Sequence, residues 1–585
     1  MKSTSLIKPY FIENRWLIGI GLVSLIIVDV LQLFIPRVIK WAVDDLTTLQ
    51  VNGTGLLIYA MYLAVIGLLI GLFRYIWRHC LLGTSRRVEE GLRNLLFSHI
   101  QTLSAAYFDQ TKTGDLMAHA TNDIQQVRMA TGMGLVALND AVVLGAAAIV
   151  FMAYINITLT LFVLIPMPVI VVGTKFFSKK MHRRYRDVQE AFSDLTEAVR
   201  ERFAGIRLIK AYSWENEEAG SVEKISKRYI DKNIRLVKIT GTFFPMMLLL
   251  TNLSLAIVIY LGGRQAIKLV ITPGDFVAFI SYLGLLTWPM MALGWVTNLI
   301  QRGKASLDRL NKILQTQPEI IESPAARFID RSKGEIAFEE VAFAYRQSER
   351  ATSLPVLSDI NFHLAPGRIL GIVGPPGSGK TTLLNLIPRL YDASQGRILL
   401  DGKDIRHLKI SRLRAQISFL SQEPFIFAGT IRQNITLGNQ NIGELELVKA
   451  TADASVYDTI QTLPEKFDTI VGEKGVVLSG GQKQRVALAR TMLISTPVLI
   501  LDDPISQVDL ETGAIIIDAI RSMAGSRTII VVSHRLSAVR FADEIITLKN
   551  GKILESGTHD RLLASDNYYA KTFRLQEFEE DLDAI

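Results

Sequence analysis

The sequence predicts a polytopic α-helical membrane domain followed by a soluble α/β domain with a phosphate-binding loop. Six apolar stretches, each near the roughly 20 residues that cross the hydrocarbon core, occupy the first half of the chain. From residue 334 onward, short apolar runs alternate with turns and helical patterns, as in α/β domains. The run 374–381, GPPGSGKT, has the glycine spacing and the Lys-Thr pair of a phosphate loop.

The composition also indicates that part of the chain lies in lipid. Of its 585 residues 49% are hydrophobic, and the mean hydropathy is +0.27. The 64 Lys and Arg against 56 Asp and Glu give a net charge of +8. In the first half the basic residues cluster between apolar stretches, which fits cytoplasmic loops better than nucleic-acid binding. The single cysteine, Cys80, excludes an intramolecular disulfide and fits a reducing compartment.

The six predicted spans cover residues 16–39, 56–77, 133–154, 158–177, 242–262 and 274–300. Residues 1–15 are predicted to form an amphipathic segment on the cytoplasmic interface, with a frayed tail as the alternative. They lack a small-residue cleavage site, so we expect no removed signal peptide. The predicted domains are a transmembrane domain at 16–314, a polar linker at 315–333, the α/β domain at 334–576 and an acidic tail at 577–585.

The distribution of Lys and Arg predicts the orientation. Links 41–54 and 155–157 contain none, link 78–132 contains six, and link 175–240 is richer still. The positive-inside rule then places both long links, both termini and the α/β domain in the cytoplasm. Heptad-like apolar spacing predicts that helices continue through both long links. Each link is interrupted, at 111–116 and 211–215, and we expect these breaks to contact a cytoplasmic partner surface; a hairpin tip in water is the alternative.

The phosphate loop lies between an apolar strand, 369–373, and a predicted helix. Its glycines let backbone N–H groups surround an anion without Cβ clashes. Lys380 would reach the phosphates, and the Thr381 hydroxyl would bind Mg²⁺. The alternative, a glycine-rich turn that happens to carry a lysine, is weakened by the further motifs.

Three further patterns point to phosphate chemistry. The apolar run 498–501 ends in Asp502 and Asp503, as in strands that present an acid to Mg²⁺. Ser479, Gly480 and Gly481 precede a predicted helix and form a second anion site, incomplete by itself. Such half-sites imply a dimer that encloses nucleotide between subunits. Gln422 and His534 each end a predicted strand, which is a weak signal when taken alone.

Together and in this order, the motifs resemble those of an ATP-binding cassette (ABC) ATPase. The whole chain resembles a bacterial multidrug-type ABC exporter half-transporter, over nearly all of its length. The resemblance implies a six-span ABC exporter transmembrane domain fused to an α/β P-loop ATP-binding cassette, with ATP and Mg²⁺ as cofactors. It also implies that the breaks near Gly114 and Tyr212 are coupling helices, the second reaching the partner's nucleotide domain, and that residues 469–473 form the exporter X-loop.

The resemblance further implies the role of each site residue. Tyr345 would stack on adenine. Asp502, Gln422 and Thr381 would meet the metal, and Asp503, His534 and Gln422 would serve hydrolysis. The remaining nucleotide contacts would be Gly374, Pro375, Pro376, Gly377, Ser378, Gly379, Lys380, Thr381 and Thr382 of Walker A, then Ser479, Gly480, Gly481 and Gln482 of the signature, and Asp509 of the D-loop formed by 506–509.

Asp503 departs from the family pattern, in which glutamate follows the Walker B aspartate and polarises the attacking water. A side chain one methylene shorter would lie about 1 Å back from that water, and misplacements of this order can cost about a hundredfold in rate. Two hypotheses follow: the chain is the degenerate subunit of a heterodimeric exporter, or it forms a homodimer with two weakened sites. The first is favoured.

The predicted function is ATP-driven export of amphipathic, drug-like or lipid-like compounds across the bacterial inner membrane. The alternative is an ATP-gated channel or regulator of the same fold. A ring of charges would favour the channel, whereas Asp29, Arg74 and Asp140 appear scattered along the spans. An importer is disfavoured by the fused domains, and six spans exclude a soluble nucleic-acid ATPase. The candidate substrate contacts are Phe243, Phe244, Trp288, Met290, Met291 and Trp295.

Overall fold

A computed structural model describes residues 3–48, 52–345, 355–472 and 477–583. The chain divides into two compact units. The first contains Met1–Gln101 and Thr113–Thr316, and the second contains Thr102–Lys112 and Gln317–Ile585. The side chains of Phe244 and Met291, two of the predicted substrate contacts, lie outside the described part of the structure.

Residues up to 316 are helical almost throughout. Short π-helical turns, Arg78–Leu82, His119–Asp123, Asp140–Leu144 and Val258–Gly262, connect several of the helices. The helices are α1 (Lys8–Glu13), α2 (Arg15–Thr47), α3 (Gly53–Trp77), α4 (Gly83–Thr102), α5 (Ala105–Gln110), α6 (Thr113–Ala118), α7 (Ile124–Thr131), α8 (Met133–Asn139), α9 (Gly145–Ile155), α10 (Ile157–Leu164), α11 (Pro166–Ala204), α12 (Ile206–Tyr212), α13 (Glu215–Ile257), α14 (Gly263–Ile267) and α15 (Pro273–Gln315).

Five helical stretches in the described residues are long and apolar enough to cross a membrane: Arg15–Thr47, Gly53–Thr102, Thr113–Ile155, Glu215–Ile267 and Pro273–Gln315. They contain five of the six predicted spans. The remaining prediction, 158–177, falls on two helices that meet at Ile165, α10 and α11. Pro166 begins α11, where its missing N–H leaves no intrahelical hydrogen bond unmade.

The long links form helices, as their apolar spacing predicts, and a short helix lies near the middle of each link. The first of these, α5, ends at Gln110, and Thr111 and Lys112 separate it from α6 inside the predicted break at 111–116. The second, α12, ends where Ser213 adopts a left-handed φ of 55°. This reversal separates α12 from α13 inside the predicted break at 211–215.

Buried apolar residues and a few hydrogen bonds between helices stabilise the packing of the first unit. Tyr282 of α15 is 1% exposed, and its hydroxyl donates to the Leu33 carbonyl of α2 at 2.9 Å. A capping box of Thr272 and Asp275 begins α15. Asp44 of α2 accepts hydrogen bonds from Thr272 at 2.9 Å and from the Gly274 N–H at 2.8 Å. These contacts fix α15 against α2.

The second unit is an α/β domain. Its strands are β1 (Ile336–Phe343), β2 (Leu357–Leu364), β3 (Ile369–Val373), β4 (Gln395–Leu400), β5 (Lys403–Asp404), β6 (Ile417–Leu420), β7 (Gly429–Thr430), β8 (Ile470–Val471), β9 (Val498–Asp502), β10 (Thr528–Val532), β11 (Glu544–Lys549) and β12 (Lys552–Gly557). Its helices are α16 (Lys380–Leu386), α17 (Ile410–Arg414), α18 (Ile431–Thr436), α19 (Glu444–Asp453), α20 (Tyr457–Gln461), α21 (Gly480–Leu493), α22 (Leu510–Ser522), α23 (His559–Ala564) and α24 (Tyr568–Asp583).

The larger sheet sets the position of the site. Its strand order is β12-β11-β3-β10-β9-β6, and β3, β6, β9, β10 and β11 run parallel. Every residue of β3, β9 and β10 is buried, as expected for strands covered on both faces. The carboxyl ends of β3, β10, β9 and β6 therefore lie side by side at one edge. A second sheet, of order β2-β1-β4-β5, is antiparallel.

Two predicted segments flank the α/β domain. The last helix before it, α15, ends at Gln315 and β1 begins at Ile336, and the linker at 315–333 stays a prediction. At the C-terminal end, α24 continues without interruption to Asp583. The predicted acidic tail from Glu577 is therefore the last part of a helix, because its Glu and Leu residues favour helix formation.

Candidate active site

A cavity of about 290 Å³ opens at the carboxyl edge of the larger sheet. It collects predicted site residues from four strand ends: the phosphate loop after β3, Gln422 after β6, Asp502 of β9 and His534 after β10. Its lining residues are Val356, Pro376, Gly377, Ser378, Gly379, Lys380, Thr381, Thr382, Gln422, Asp502 and His534. Ligands of open α/β sheets bind at this edge.

Three glycines give the phosphate loop its shape. Gly374, Gly377 and Gly379 have φ values of 154°, 77° and 99°, which side-chain-bearing residues rarely adopt. A Cβ on Gly374 would collide with the Leu548 carbonyl, and a Cβ on Gly379 would lie 2.8 Å from Leu357. The loop therefore favours glycine at all three positions for conformation, and at Gly374 and Gly379 for space as well.

Lys380 and Ser378 provide polar groups suited to an anion. Lys380 is 6% exposed, and its Nζ donates to the carbonyls of Gly374 at 2.8 Å and Pro375 at 3.0 Å. Burial lowers the pKa of Lys380, although the Asp502 and Asp503 carboxylates oppose that effect. The Ser378 hydroxyl is buried and has no partner among the described residues. An anion in the loop would satisfy it.

Thr381 and Asp502 form a polar pair. The Thr381 hydroxyl donates to Asp502 Oδ2 at 2.8 Å, and Asp502 is 2% exposed. Burial raises the pKa of Asp502; the Thr381 hydrogen bond lowers it, and the Asp503 charge raises it further. Hydroxyl and carboxylate oxygens are ligands that Mg²⁺ prefers.

Asp503 lies beside this pair but does not line the cavity. Its backbone is left-handed, with a φ of 57°, and its N–H donates to the Val532 carbonyl at 2.8 Å. The Ser533 hydroxyl donates to Asp503 Oδ1 at 3.0 Å. The carboxylate is thus directed to the loop after β10, and the side chain is 7% exposed.

The predicted signature residues lie apart from this cavity, at the start of α21. Ser479 caps the helix: its hydroxyl accepts from the Gln482 N–H at 3.3 Å, while its own N–H donates to Gln482 Oε1 at 2.9 Å. Cβ atoms on Gly480 and Gly481 would each lie 2.5 Å from an oxygen of Gln507. None of these four predicted residues lines the cavity of their own chain.

Gln484 and Ser533 are site residues that the sequence analysis missed. Gln484 is 3% exposed. Its amide donates to the Asp503 carbonyl at 2.7 Å and to Ser506 at 3.0 Å, and accepts from the Gln507 N–H at 3.1 Å. It therefore ties the predicted D-loop to α21. The sequence signal that could have identified Gln484 is its polar side chain on the otherwise apolar, buried face of α21.

Asp509 and Tyr345 are two further residues that were predicted to contact the nucleotide. Asp509 caps α22 by accepting from the Thr512 N–H at 2.9 Å, and this bond lowers the pKa of its exposed carboxyl. The Tyr345 hydroxyl lies 3.0 Å from that of Thr382, and its ring contacts Phe343 and Tyr391 edge-on. Stacking of Tyr345 on adenine stays a prediction.

The predicted X-loop is described in part. In it, β8 pairs with β7, and the Thr469 carbonyl accepts from the Ile431 N–H at 3.1 Å. Glu473 of the predicted X-loop lies outside the described residues.

The short helices α5 and α12, which lie in the two long links, differ in what their residues contact. Within the second unit, the Tyr391 hydroxyl donates to Asp109 of α5 at 2.7 Å, and the Ile320 N–H donates to Ser104 at 3.0 Å. The loop end of α12 presents an aromatic pair, Tyr212 and Trp214, with ring centroids 5.7 Å apart. Both rings are more than half exposed, at 63% and 51%. Contact of this pair with a partner subunit stays a prediction.

Comparison with known proteins identifies the family. Residues 18–290 match the family described as the ABC transporter transmembrane region, and residues 357–506 match the family described as ABC transporter. The chain belongs to the ABC transporters. It is 35% identical over 576 residues, 98% of this chain and 97% of the relative, to the multidrug resistance-like ATP-binding protein MdlA of Escherichia coli.

Other relatives agree with this assignment. This chain is 33% identical to the ATP-dependent lipid A-core flippase of Nitrosococcus oceani, and the alignment covers 97% of this chain and 94% of the relative. A solved structure of a bacterial Atm1-family ABC exporter with ATP bound matches with a TM-score of 0.74 and 25% identity, over 98% of this chain and 99% of the other. The chain is thus a bacterial multidrug-type ABC exporter half-transporter, a multi-pass inner-membrane protein that couples ATP hydrolysis to export.

Proposed function

We propose that this half-transporter is the subunit with the slow ATP site in a heterodimeric exporter of amphipathic compounds. The observation that carries the proposal is the placement of Asp503. Its short carboxylate accepts a hydrogen bond from Ser533 and does not line the nucleotide cavity. A general base must be within hydrogen-bond reach of the proton it takes, directly or through one water. Asp503 is poorly placed for that task.

In this proposal the residues of the cavity keep their predicted roles. Lys380 and the loop glycines hold the phosphates of ATP, and the unpartnered Ser378 hydroxyl fits a phosphate oxygen. Thr381, Asp502 and Gln422 would hold Mg²⁺, because their oxygens share one cavity and suit a hard cation. Mg²⁺ would neutralise phosphate charge during hydrolysis. His534 lies on the same cavity and would contact the terminal phosphate.

The intact signature supports a shared site. Ser479 is exposed at the first turn of α21 and lies off its own chain's cavity, so it would complete the site of a partner subunit. ATP favours the closed pair of cassettes, and this preference shifts the membrane domains between two conformations. We further propose that the cassette and both termini lie in the cytoplasm, as the distribution of Lys and Arg predicts. The multidrug and lipid names of the relatives support an amphipathic substrate.

The test is the ATPase rate of the purified chain in lipid, alone and after co-expression with a candidate partner half-transporter that carries glutamate after its Walker B aspartate. We expect slow turnover from the chain alone and a rate about a hundredfold higher from the pair, since the partner supplies a complete site. A pair whose partner carries a Lys→Ala change in its own phosphate loop is the control and should be slow. Equal rates for the single chain and the pair would contradict the heterodimer and favour a homodimer in which Asp503 suffices.

A further inference from the structure

The C-terminal helix α24 holds the loop that carries His534. The side-chain amide of Gln576 in α24 donates from Nε2 to the His534 carbonyl at 2.7 Å, and its Oε1 accepts from the Leu536 N–H at 2.9 Å. Leu536 begins a short 3₁₀-helix, Leu536–Ala538, and the first N–H groups of a helix have no partner inside it. One amide therefore satisfies two backbone groups of the loop and fixes the course of the chain between them.

Helix α24 is a firm support for this contact because its first turn is anchored to the rest of the domain. Glu555 of β12 accepts hydrogen bonds from the N–H groups of Tyr568 at 2.8 Å and Tyr569 at 3.3 Å. Tyr569 is fully buried, and its hydroxyl lies 2.8 Å from Nδ1 of His559 in α23. Gln576 lies two helical turns after Tyr569, so both side chains project from the same face. The face of α24 that is anchored in the core therefore also carries Gln576.

His534 lies between two cavities of the α/β domain. It lines the nucleotide cavity of about 290 Å³ and also a second cavity of about 240 Å³. Tyr568, Thr572 and Gln576 of α24 line the second cavity but not the first. The His534 side chain is exposed, so its position depends on the backbone of the loop and not on burial. A loop released from Gln576 has space to move into the second cavity, away from the nucleotide.

The start of the same loop is held by contacts that do not involve α24. The Ser533 hydroxyl donates to Asp503 Oδ1 at 3.0 Å, and the Arg535 guanidinium donates to the Val508 carbonyl at 3.3 Å. These hydrogen bonds join the loop to the segment that follows β9. Gln576 supplies the contact from the opposite direction, so the loop is fixed from two sides.

We propose that Gln576 is a positioning residue for His534 and thereby sets the preference of this site for ATP over ADP. His534 would donate to the terminal phosphate, which ADP lacks, and Gln576 holds the loop where the imidazole can reach that phosphate. Loss of the Gln576 amide weakens binding of a triphosphate. Binding of a diphosphate is unchanged, because Lys380 and the phosphate loop hold it. The inference rests on the role proposed above for His534 and adds the residue that places it.

The test compares two affinities of the full chain in lipid with Mg²⁺: for ADP, and for AMP-PNP, an ATP analogue that resists hydrolysis. Displacement of a fluorescent ATP analogue measures both, and the readout is their ratio. His534→Ala should lower the preference for AMP-PNP by about tenfold, as expected for a lost hydrogen bond to a charged group. Gln576→Ala should lower it by about threefold or more, with the affinity for ADP unchanged.

Gln576→Glu distinguishes positioning from packing. Glutamate has the size of glutamine, but its carboxylate cannot donate to the His534 carbonyl, so a role in packing alone would tolerate the change. We expect Gln576→Glu to lower the ratio as Gln576→Ala does. In a chain that already carries His534→Ala, adding Gln576→Ala should leave the ratio as it is, because the imidazole that Gln576 positions is absent.

Arg574→Ala is the matched control variant, because Arg574 lies on an exposed part of α24 and pairs with Asp566 at 2.8 Å. It should bind both nucleotides like the unchanged chain. No turnover is measured, so a slow or fast site leaves the result unaffected.

Three outcomes would overturn the inference. An unchanged ratio in Gln576→Ala or Gln576→Glu, with a lowered ratio in His534→Ala, would exclude Gln576 and keep the proposed role of His534. An unchanged ratio in His534→Ala would exclude both roles. Equal weakening of AMP-PNP and ADP in Gln576→Ala would mean that Gln576 supports the fold of the whole site.

Discussion

At the end of β9, two neighbouring aspartates face different surroundings. Asp502 lines the nucleotide cavity with Thr381, whereas Asp503 has a left-handed backbone and its carboxylate is bound by Ser533. The difference arises because φ of 57° at Asp503 turns the chain away from the strand direction. The Asp503 carboxylate is therefore held by Ser533 and does not line the cavity.

Asp503→Glu should raise the ATPase rate of the chain. The added methylene lengthens the side chain by about 1 Å and lets the carboxylate leave Ser533 for the attacking water, and a correction of that size can restore about a hundredfold in rate. The measurement is steady-state phosphate release from the reconstituted transporter. Asp503→Asn is the control and should leave the slow rate almost unchanged. A sharp loss of turnover in Asp503→Asn, with no gain in Asp503→Glu, would mean that Asp503 already acts as the base.

Asp502 should make nucleotide binding dependent on pH when Mg²⁺ is present. Burial raises its pKa, so the protonated form persists to a higher pH than for an ordinary aspartate near 3.9. A metal ligand must be ionised, so Mg²⁺ and the proton compete. The ratio of ATP affinities with and without Mg²⁺ should fall as the pH decreases toward the raised pKa of Asp502, by at most about tenfold per pH unit.

That ratio is measured with a fluorescent ATP analogue, with chelator replacing Mg²⁺ in the second series. In Asp502→Asn the ratio should be low and independent of pH, because no proton is displaced. An identical pH profile for the unchanged chain and Asp502→Asn would exclude Asp502 as the titrating metal ligand.

At the scale of elements, the sequence predicted the strand ends well and the helix contacts poorly. Motif residues follow buried apolar runs, and parallel strands align their carboxyl ends, so Gln422, Asp502 and His534 could be placed at one edge of a sheet. The first break was correctly predicted at 111–116, but Gly114 lies inside α6 and the chain leaves helical geometry at Thr111 and Lys112, so turn-prone residues located the break and not the helices beside it.

Two features were not predictable because they depend on packing between distant segments. The hydrogen bonds of Gln484 and Ser533 join α21, the loop after β9 and the loop after β10, and nothing local in the sequence identifies these partners. The convergence of Asp29, Arg74 and Asp140 depends on how three membrane helices rotate about their axes. In helices that are apolar on most faces, periodicity does not fix that rotation.

At the scale of the whole molecule, the separation of Ser479 from its own cavity implies that one chain serves two nucleotide sites. Lys380 belongs to the cavity of this chain, whereas Ser479 would belong to the site of the partner. In the assembled pair, a change at Lys380 should therefore affect nucleotide occupancy of this subunit, whereas a change at Ser479 should affect turnover at the partner's site. Photolabelling with azido-ATP, followed by separation of the subunits, measures occupancy of each site, and phosphate release measures turnover.

Lys380→Ala should abolish labelling of this subunit while turnover falls only modestly, because the removed site is already slow. Ser479→Ala should leave that labelling intact and reduce turnover by about tenfold to a thousandfold, as expected when a donor to a transition-state charge is lost. Ser522→Ala, at the exposed end of α22, controls for nonspecific loss and should change neither. If Ser479→Ala lowered labelling of this subunit as much as Lys380→Ala, both residues would serve one site. A closed pair of cassettes with shared sites would then be the wrong architecture for this exporter.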